Sequence, residues 1–199
     1  MARNPDIPAP MLLTRLARDN RQMGIRLAQL EFREMRTELD NPSLFDLKID
    51  FPGESRPHTP PFASALDEQI LRRLPVLNVP LGKIAWIQEP EALPAIAILC
   101  RDIDHRILAK ALLDLMQAHH ARPFARLVFV CASLRPIPFL GRYGFAYEYL
   151  GDQNIASAGH RLAARYGIDE VRDLVDGEVI WRRSTDAEAA ALEISENNE

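Results

Sequence analysis

Two nearly continuous apolar runs stand out in the middle of the chain, one over residues 95–100 and one over residues 127–131. Runs of this length and composition are typical of strands that are buried on both faces of a sheet. Between them, residues 105–119 repeat apolar side chains with a helical period, and Asp104 precedes them as an N-cap. Because a helix separates the two strands, we expect the second strand, over 126–131, to lie parallel to the first.

Weaker patterns predict the elements around this unit. Residues 84–88 are expected to form a strand antiparallel to 95–100, since the connection between them is short. Residues 169–182 fit either a hairpin with a tight turn at Asp176-Gly177 or a short helix followed by a strand, and we favour the second. The other predicted elements are a helix over 64–74, a short strand over 76–79, a short helix over 136–143, a strand over 145–150 and a helix over 154–166 capped by Gly167.

The first forty residues follow a different period. Residues 10–39 predict one long helix, which begins after Pro8 and stops at Asp40-Asn41-Pro42. With Leu13 at heptad position a, positions a and d stay apolar through Leu30 except for one asparagine, as in a coiled coil with a polar residue that sets the register. The predicted interface, which we name the seam, consists of Leu13, Leu16, Asn20, Met23, Leu27 and Leu30.

Charged residues beside the seam agree with a parallel partner helix. In this frame Arg26 would face Glu31 of the partner, and Arg33 would face Glu38. Two observations argue against the coiled coil: Gly24, because glycine costs about 1 kcal/mol in a helix interior, and the shortness of the seam, which covers fewer than three clean heptads. The alternative is an amphipathic helix that packs on its own domain, with Leu16, Met23, Leu27 and Leu30 on one face and Ile25, Phe32, Met35 and Leu39 on a second.

These patterns divide the chain into four parts. They are a long helix over 1–40, a proline-rich connecting arm over 41–62, an α/β domain over 63–183 and an acidic tail over 184–199. We expect an α/β fold whose mixed sheet contains an antiparallel hairpin and a parallel crossover, with helices on both faces. The alternative is a flavodoxin-like or Rossmann-like parallel sheet.

Composition narrows the class of protein. The chain has 24 basic and 28 acidic residues and a formal charge of -4, which argues against a general nucleic-acid coat protein, although a local basic groove could still bind nucleic acid. The two cysteines, Cys100 and Cys131, end the two apolar runs and are expected to be small buried residues. With no secretory signal and no membrane-length apolar segment, we expect a cytoplasmic protein without membrane contact.

Polar residues follow both central strands, at the edge where parallel sheets usually bind ligands. We name this region, residues 101–105 and 133–135, the strand-end crevice. Its candidate catalytic residues are Asp102, Asp104 and His105, although a carboxylate before a helix also serves as a cap. Its candidate anion-binding residues are Arg101, Ser133 and Arg135. His119 and His120, at the end of the helix, are expected at the surface.

The order of elements from 63 to 150 resembles the core of the restriction-endonuclease-like nucleases, the PD-(D/E)xK family. That family carries an acidic residue on an early strand and an acid-x-lysine pair on the strand before the crossover helix, and two carboxylates hold magnesium. In this chain the matching strand, residues 95–100, has no charge, and Asp102 and Asp104 lie beyond its end. The resemblance therefore implies magnesium only for a nuclease with a diverged site, and we otherwise expect no metal or cofactor.

The missing catalytic motif and the seam together favour a function in association. We expect a non-catalytic subunit or adaptor of a cytosolic multiprotein assembly, which self-associates or docks on a protein partner through residues 10–39. One alternative is a metal-dependent nuclease or phosphotransferase with a diverged active site. A second alternative is a module that binds an anionic ligand or nucleic acid in the strand-end crevice.

Overall fold

The computed structural model describes residues 9–45, 75–150 and 153–183. Its elements are helix α1 (Ala9–Leu39), a 3₁₀ turn (Pro42–Phe45), a second 3₁₀ turn (Pro90–Ala92), β1 (Ala95–Cys100), α2 (His105–Ala121), β2 (Arg126–Cys131), α3 (Ile137–Arg142), β3 (Ala146–Tyr149), α4 (Ile155–Tyr166), β4 (Glu170–Asp173) and β5 (Val179–Arg182). The helix predicted over 64–74, most of the connecting arm and the acidic tail lie outside the described residues.

The five strands form one mixed sheet in the order β3-β2-β1-β4-β5. The first four strands are parallel, and β5 is antiparallel to β4. This confirms the expected α/β fold with a long N-terminal helix. The order of the parallel strands is that of doubly wound, Rossmann-like sheets, in which the chain changes direction between β1 and β4.

Helices cover both faces of the sheet, because the side chains of β1 alternate between two apolar clusters. Ile98 and Cys100 pack in the cluster that contains side chains of α1, α2 and α3. Ala97 and Leu99 pack in the second cluster, which contains the buried face of α4. A strand between two helical layers needs apolar residues at every position, as the uncharged run 95–100 provides.

The antiparallel hairpin is not where the sequence placed it. Residues 84–88 and 76–79 form no strand, because β1 already pairs with β2 on one side and β4 on the other. The backbone of residues 77–84 instead bonds to helix ends and side chains. The N–H of Lys83 donates to the carbonyl of Tyr143 at 2.9 Å, and the carbonyl of Leu81 accepts from His119 at 3.1 Å.

The preference for a helix at residues 169–175 was wrong, and the alternative hairpin is confirmed as β4 and β5. Gly177 has φ +73°, which suits glycine in a tight turn. The N–H of Asp173 donates to the carbonyl of Glu178 at 2.9 Å and closes the turn. Strand pairing wins over the weak helical pattern because it buries Val171 against β1 and Trp181 against α4.

In the described ranges 9–45, 75–150 and 153–183, no helix has the length and apolar character needed to cross a membrane.

Candidate functional site

An ion pair occupies the strand-end crevice at the point where the strand order reverses. Arg101 follows β1, and its guanidinium pairs with the carboxylate of Asp173 at the end of β4. Asp173 is only 3% exposed, and its Oδ1 accepts the N–H of Val175 at 2.8 Å. The buried carboxylate therefore neutralises Arg101 and joins the ends of the two strands.

Asp173 was not among the predicted site residues, because the sequence pattern over 169–175 favoured a helix. In the observed register Asp173 lies opposite Leu99 and shares a face of β4 with Val171. The alternative hairpin would have placed Asp173 on the same face as Val171, since residues two apart on a strand lie on the same face.

The second arginine of the crevice also faces a carboxylate. Arg135 Nη1 lies 3.7 Å from Asp102 Oδ1, and both side chains are about half exposed. An exposed pair at this distance contributes about 0–1 kcal/mol. Ser133 lies half-buried at the end of β2. Each of the two predicted anion-binding arginines thus has a carboxylate beside it, which weakens the positive potential that a free anion would meet.

Asp104 caps α2, as its position in the sequence predicted. Its Oδ1 accepts the N–H of Arg106 at 2.9 Å. This hydrogen bond lowers the pKa of the Asp104 carboxyl. His105 Nδ1 lies 3.8 Å from Asp104 Oδ2. Of the three candidate catalytic residues, Asp104 is the helix cap and His105 lies beside it. Asp102 belongs to the exposed ion pair with Arg135.

Metal binding needs three or more suitable side chains in one place. Across residues 9–45, 75–150 and 153–183, no group of three or more His, Cys, Asp or Glu side chains is arranged to hold a metal ion. The two cysteines come together beneath the crevice, opposite each other on β1 and β2 and fully buried. A hydrogen bond to Cys131 and burial raise the pKa of the Cys100 thiol, so the reactive thiolate is disfavoured.

The two histidines at the end of α2 are structural, and the expectation that both lie at the surface was wrong for His119. His119 is fully buried, its Nε2 donates to the carbonyl of Leu81 at 3.1 Å, and its ring packs edge-on against Phe124. Burial lowers the pKa of His119. His120 is half-buried and stacks on Phe32 of α1 with ring centroids 4.4 Å apart.

The seam of α1 is exposed in the structure. Its five apolar side chains are 52–68% exposed, and Asn20 between them is also exposed. The residues concerned are Leu13, Leu16, Met23, Leu27 and Leu30. Contiguous apolar surface on a soluble protein usually marks a site of interaction.

The other side of α1 packs on the domain. Ala28, Met35 and Leu39 are buried, and Met35 and Leu39 belong to the cluster on the α2 face of the sheet. The alternative of a helix that packs on its own domain is therefore confirmed for part of its predicted second face, from which Ile25 remains exposed. The face with Phe32, Met35 and Leu39 packs inward, whereas the face with the seam does not.

Gly24 has a packing role that explains its place in the helix. A Cβ at this position would overlap the indole of Trp86, so glycine lets the ring lie against the backbone of α1. Arg21 lies over the same ring, 5.7 Å from its centroid, and its guanidinium also bonds to Gln88. These contacts fix the direction in which the exposed half of α1 leaves the domain.

One of the two predicted interhelical pairs is occupied within the chain. Glu38 pairs with Arg142 at the end of α3, and its side chain is only 18% exposed. Burial and the nearby Glu38 carboxylate raise the pKa of Tyr143 beside it. Glu38 is therefore not free to meet Arg33 of another helix.

No protein-family model, curated protein or solved structure matches this chain.

Proposed function

We propose that this chain is a non-catalytic subunit of a protein assembly, and that it associates through the seam of α1 as part of a coiled coil. The observation that supports this most strongly is the division of α1 into two faces. One face contributes Met35 and Leu39 to the core, and the other exposes five apolar side chains between Leu13 and Leu30, interrupted by Asn20. Burying such a stripe against a partner gains roughly 25 cal/mol per Å² of apolar surface.

The strand-end crevice offers less support for the enzymatic alternative. Arg101 and Arg135 already face carboxylates, and Asp104 caps a helix. A nuclease or phosphotransferase needs carboxylates directed into one open pocket, where they can hold a divalent cation. Association through α1 needs no such pocket and uses apolar side chains that are exposed in the described part of the chain.

A seam variant tests this proposal. We would express the tagged chain in its native host and compare elution of the wild type, Leu16→Glu/Leu27→Glu and the control Ile107→Glu. Ile107 is as exposed as Leu16 but lies on α2. We expect the wild type and the control to elute in an assembly well above 22.5 kDa, and the seam variant to elute alone. Elution of the seam variant with the wild type would contradict the proposal.

A further inference from the structure

We propose that the partner of the seam is a second copy of this chain, bound parallel and in register over residues 13–31. This inference rests on the proposed association through α1 and adds the identity and direction of the partner. It is carried by the two opposed faces of α1, by the charges beside the seam and by Asn20.

The geometry of α1 leaves room for a second copy. Ala28 and Met35 occupy heptad position b, and Phe32 and Leu39 occupy position f, whereas the seam occupies a and d. With 3.6 residues per turn, the centres of the two faces lie about 150° apart around the helix. Most of the domain therefore lies on the far side of α1 from the seam, and Trp86 packs against Gly24 at position e, at one edge of the seam. A second helix can bind against positions a and d, which the described part of the domain leaves exposed.

Charge complementarity supports a second copy of this chain as the partner. In a parallel pair, Arg26 at position g of each chain faces Glu31 at position e of the other, and the two-fold axis generates this pair twice. An antiparallel pair centred on the seam would bring g opposite g, where Arg26 would face Asp19, so the charges fit a second copy in either direction and the direction rests on Asn20. Positions g and e flank a and d, so Arg26 and Glu31 lie at the edges of the seam. Arg26 is exposed and Glu31 is half-buried.

Asn20 supports the parallel, in-register arrangement. A parallel, in-register pair places each Asn20 opposite its own copy, where the two side-chain amides can bond to each other. Any other register sets the amide against an apolar side chain of the seam and leaves it unpaired, which costs about 1–3 kcal/mol when buried.

The domain also sets where the interface ends. Glu38 is held by Arg142, so the predicted Arg33–Glu38 contact is removed. Glu34 and Thr37 are polar at the next a and d positions. The apolar seam therefore spans Leu13 to Leu30, about 27 Å of helix. An interface this short predicts a dimer that dissociates on dilution.

Disulfide trapping tests the direction of the pair. In full-length Leu13→Cys, a parallel pair brings the two introduced thiols together, and oxidised glutathione accepts two electrons and two protons as the disulfide forms. The control is Arg15→Cys, at position c outside the seam, where the native side chain is 73% exposed. The native Cys100 and Cys131 are buried and add little background.

We expect Leu13→Cys to give at least tenfold more covalent dimer than Arg15→Cys. Equal yields would overturn the proposal. In a mixture of Leu13→Cys and Leu30→Cys chains, preferential formation of the mixed dimer would indicate an antiparallel pair and would also overturn it.

Charge reversal tests the register with the same protein. Arg26→Glu sets two acidic pairs across the interface, so we expect the dissociation constant to rise by roughly tenfold. Arg26→Glu/Glu31→Arg restores opposite charges and should return it toward the wild-type value. An unchanged dissociation constant in the single variant would overturn the predicted register.

The outcomes separate this inference from the proposed function. If the purified chain is monomeric while the assembly in host extract still depends on the seam, the partner is another protein and only this inference fails. If the purified chain is monomeric and the thiol of Leu13→Cys resists alkylation, the seam is covered within the chain, and both proposals fail.

Discussion

Asp104 and Asp173 show how two carboxylates near one edge of a sheet take different roles. Asp104 is exposed and accepts a backbone N–H at the start of α2, where the helix dipole favours a negative charge. Asp173 is buried and pairs with Arg101. Both roles are structural, which explains why acidic residues cluster at this edge without forming a set of metal ligands.

The capping role of Asp104 predicts a specific pattern of stability. Asp104→Ala should lower the midpoint of thermal unfolding by roughly 2–4 °C, and Asp104→Asn, which can still accept the hydrogen bond, should change it little. Asn154→Ala is the matched control, because Asn154 Oδ1 accepts the N–H of Ala156 at the start of α4 at 2.9 Å. Binding of magnesium that Asp104→Asn abolishes without altering the melting temperature would argue for a ligand role instead.

The effect of Gly24→Ala on stability should change sign when Trp86 is also replaced, which a double-mutant cycle can measure. In the wild type, Gly24→Ala should destabilise the protein, because the added Cβ overlaps the indole. In a Trp86→Ala background the overlap is gone, so the same substitution should stabilise the protein by about 0.5–1 kcal/mol through helix propensity. Urea unfolding of the four proteins measures both effects. Destabilisation of equal size in both backgrounds would show that the indole is not the cause.

At the scale of elements, α1 is buried near its end and exposed near its beginning. Its last turns are part of the core, where Met35 and Leu39 are buried. Its first turns, through Met23, present exposed side chains. A deletion therefore has opposite consequences depending on where it ends.

Deleting residues 1–20 should leave a folded domain, whereas deleting residues 1–40 should unfold it. The longer deletion removes Met35 and Leu39, and the loss of each large buried side chain costs about 2–5 kcal/mol. Near-ultraviolet circular dichroism and urea unfolding of the two truncations measure the difference. A cooperative unfolding transition in the 1–40 deletion would mean that α1 adds little to the core.

The elements that sequence analysis predicted well are those with a strong local signal. Strands 95–100 and 126–131 and helix α2 agree within about two residues, because continuous apolar runs and a capping aspartate mark their limits. Residues 84–88 failed because four consecutive apolar residues, 84–87, look like a short strand, whereas Trp86 packs against Gly24. That contact joins residues 62 positions apart, and no local pattern indicates it.

At the scale of the whole molecule, the charged side chains at the strand ends pair with each other, whereas the apolar side chains of the seam on α1 are exposed. Heptad periodicity indicated the apolar stripe of α1 but did not decide whether it is exposed or packed on the domain, and the structure leaves it exposed. The pairs Arg101–Asp173 and Glu38–Arg142 were not predictable, because each joins elements that are distant in sequence and depends on strand order or helix packing. The sequence could therefore indicate the apolar stripe of α1 but not the neutralisation of the strand-end crevice.

Burial of His119 predicts a pH dependence of stability. The folded-state pKa lies below the unfolded value of about 6.5, so the unfolded chain binds more protons in acid. The contribution to stability is present above pH 6.5 and is lost as the pH falls toward the folded-state pKa, by at most about 1.4 kcal/mol per pH unit. Urea unfolding at pH 7.5, 6.5 and 5.5 should give a shallower dependence for His119→Gln than for the wild type. Equal slopes would rule out His119 as the cause.

The most direct test of association through α1 is the mass of the purified full-length chain as its concentration changes. Light scattering should show the wild type rising from 22.5 kDa toward twice that mass as concentration increases, while Leu16→Glu/Leu27→Glu stays at the monomer mass with an unchanged circular dichroism spectrum. A seam variant that dimerises as the wild type does would contradict association through the seam. A wild type that stays at 22.5 kDa at every concentration would contradict self-association.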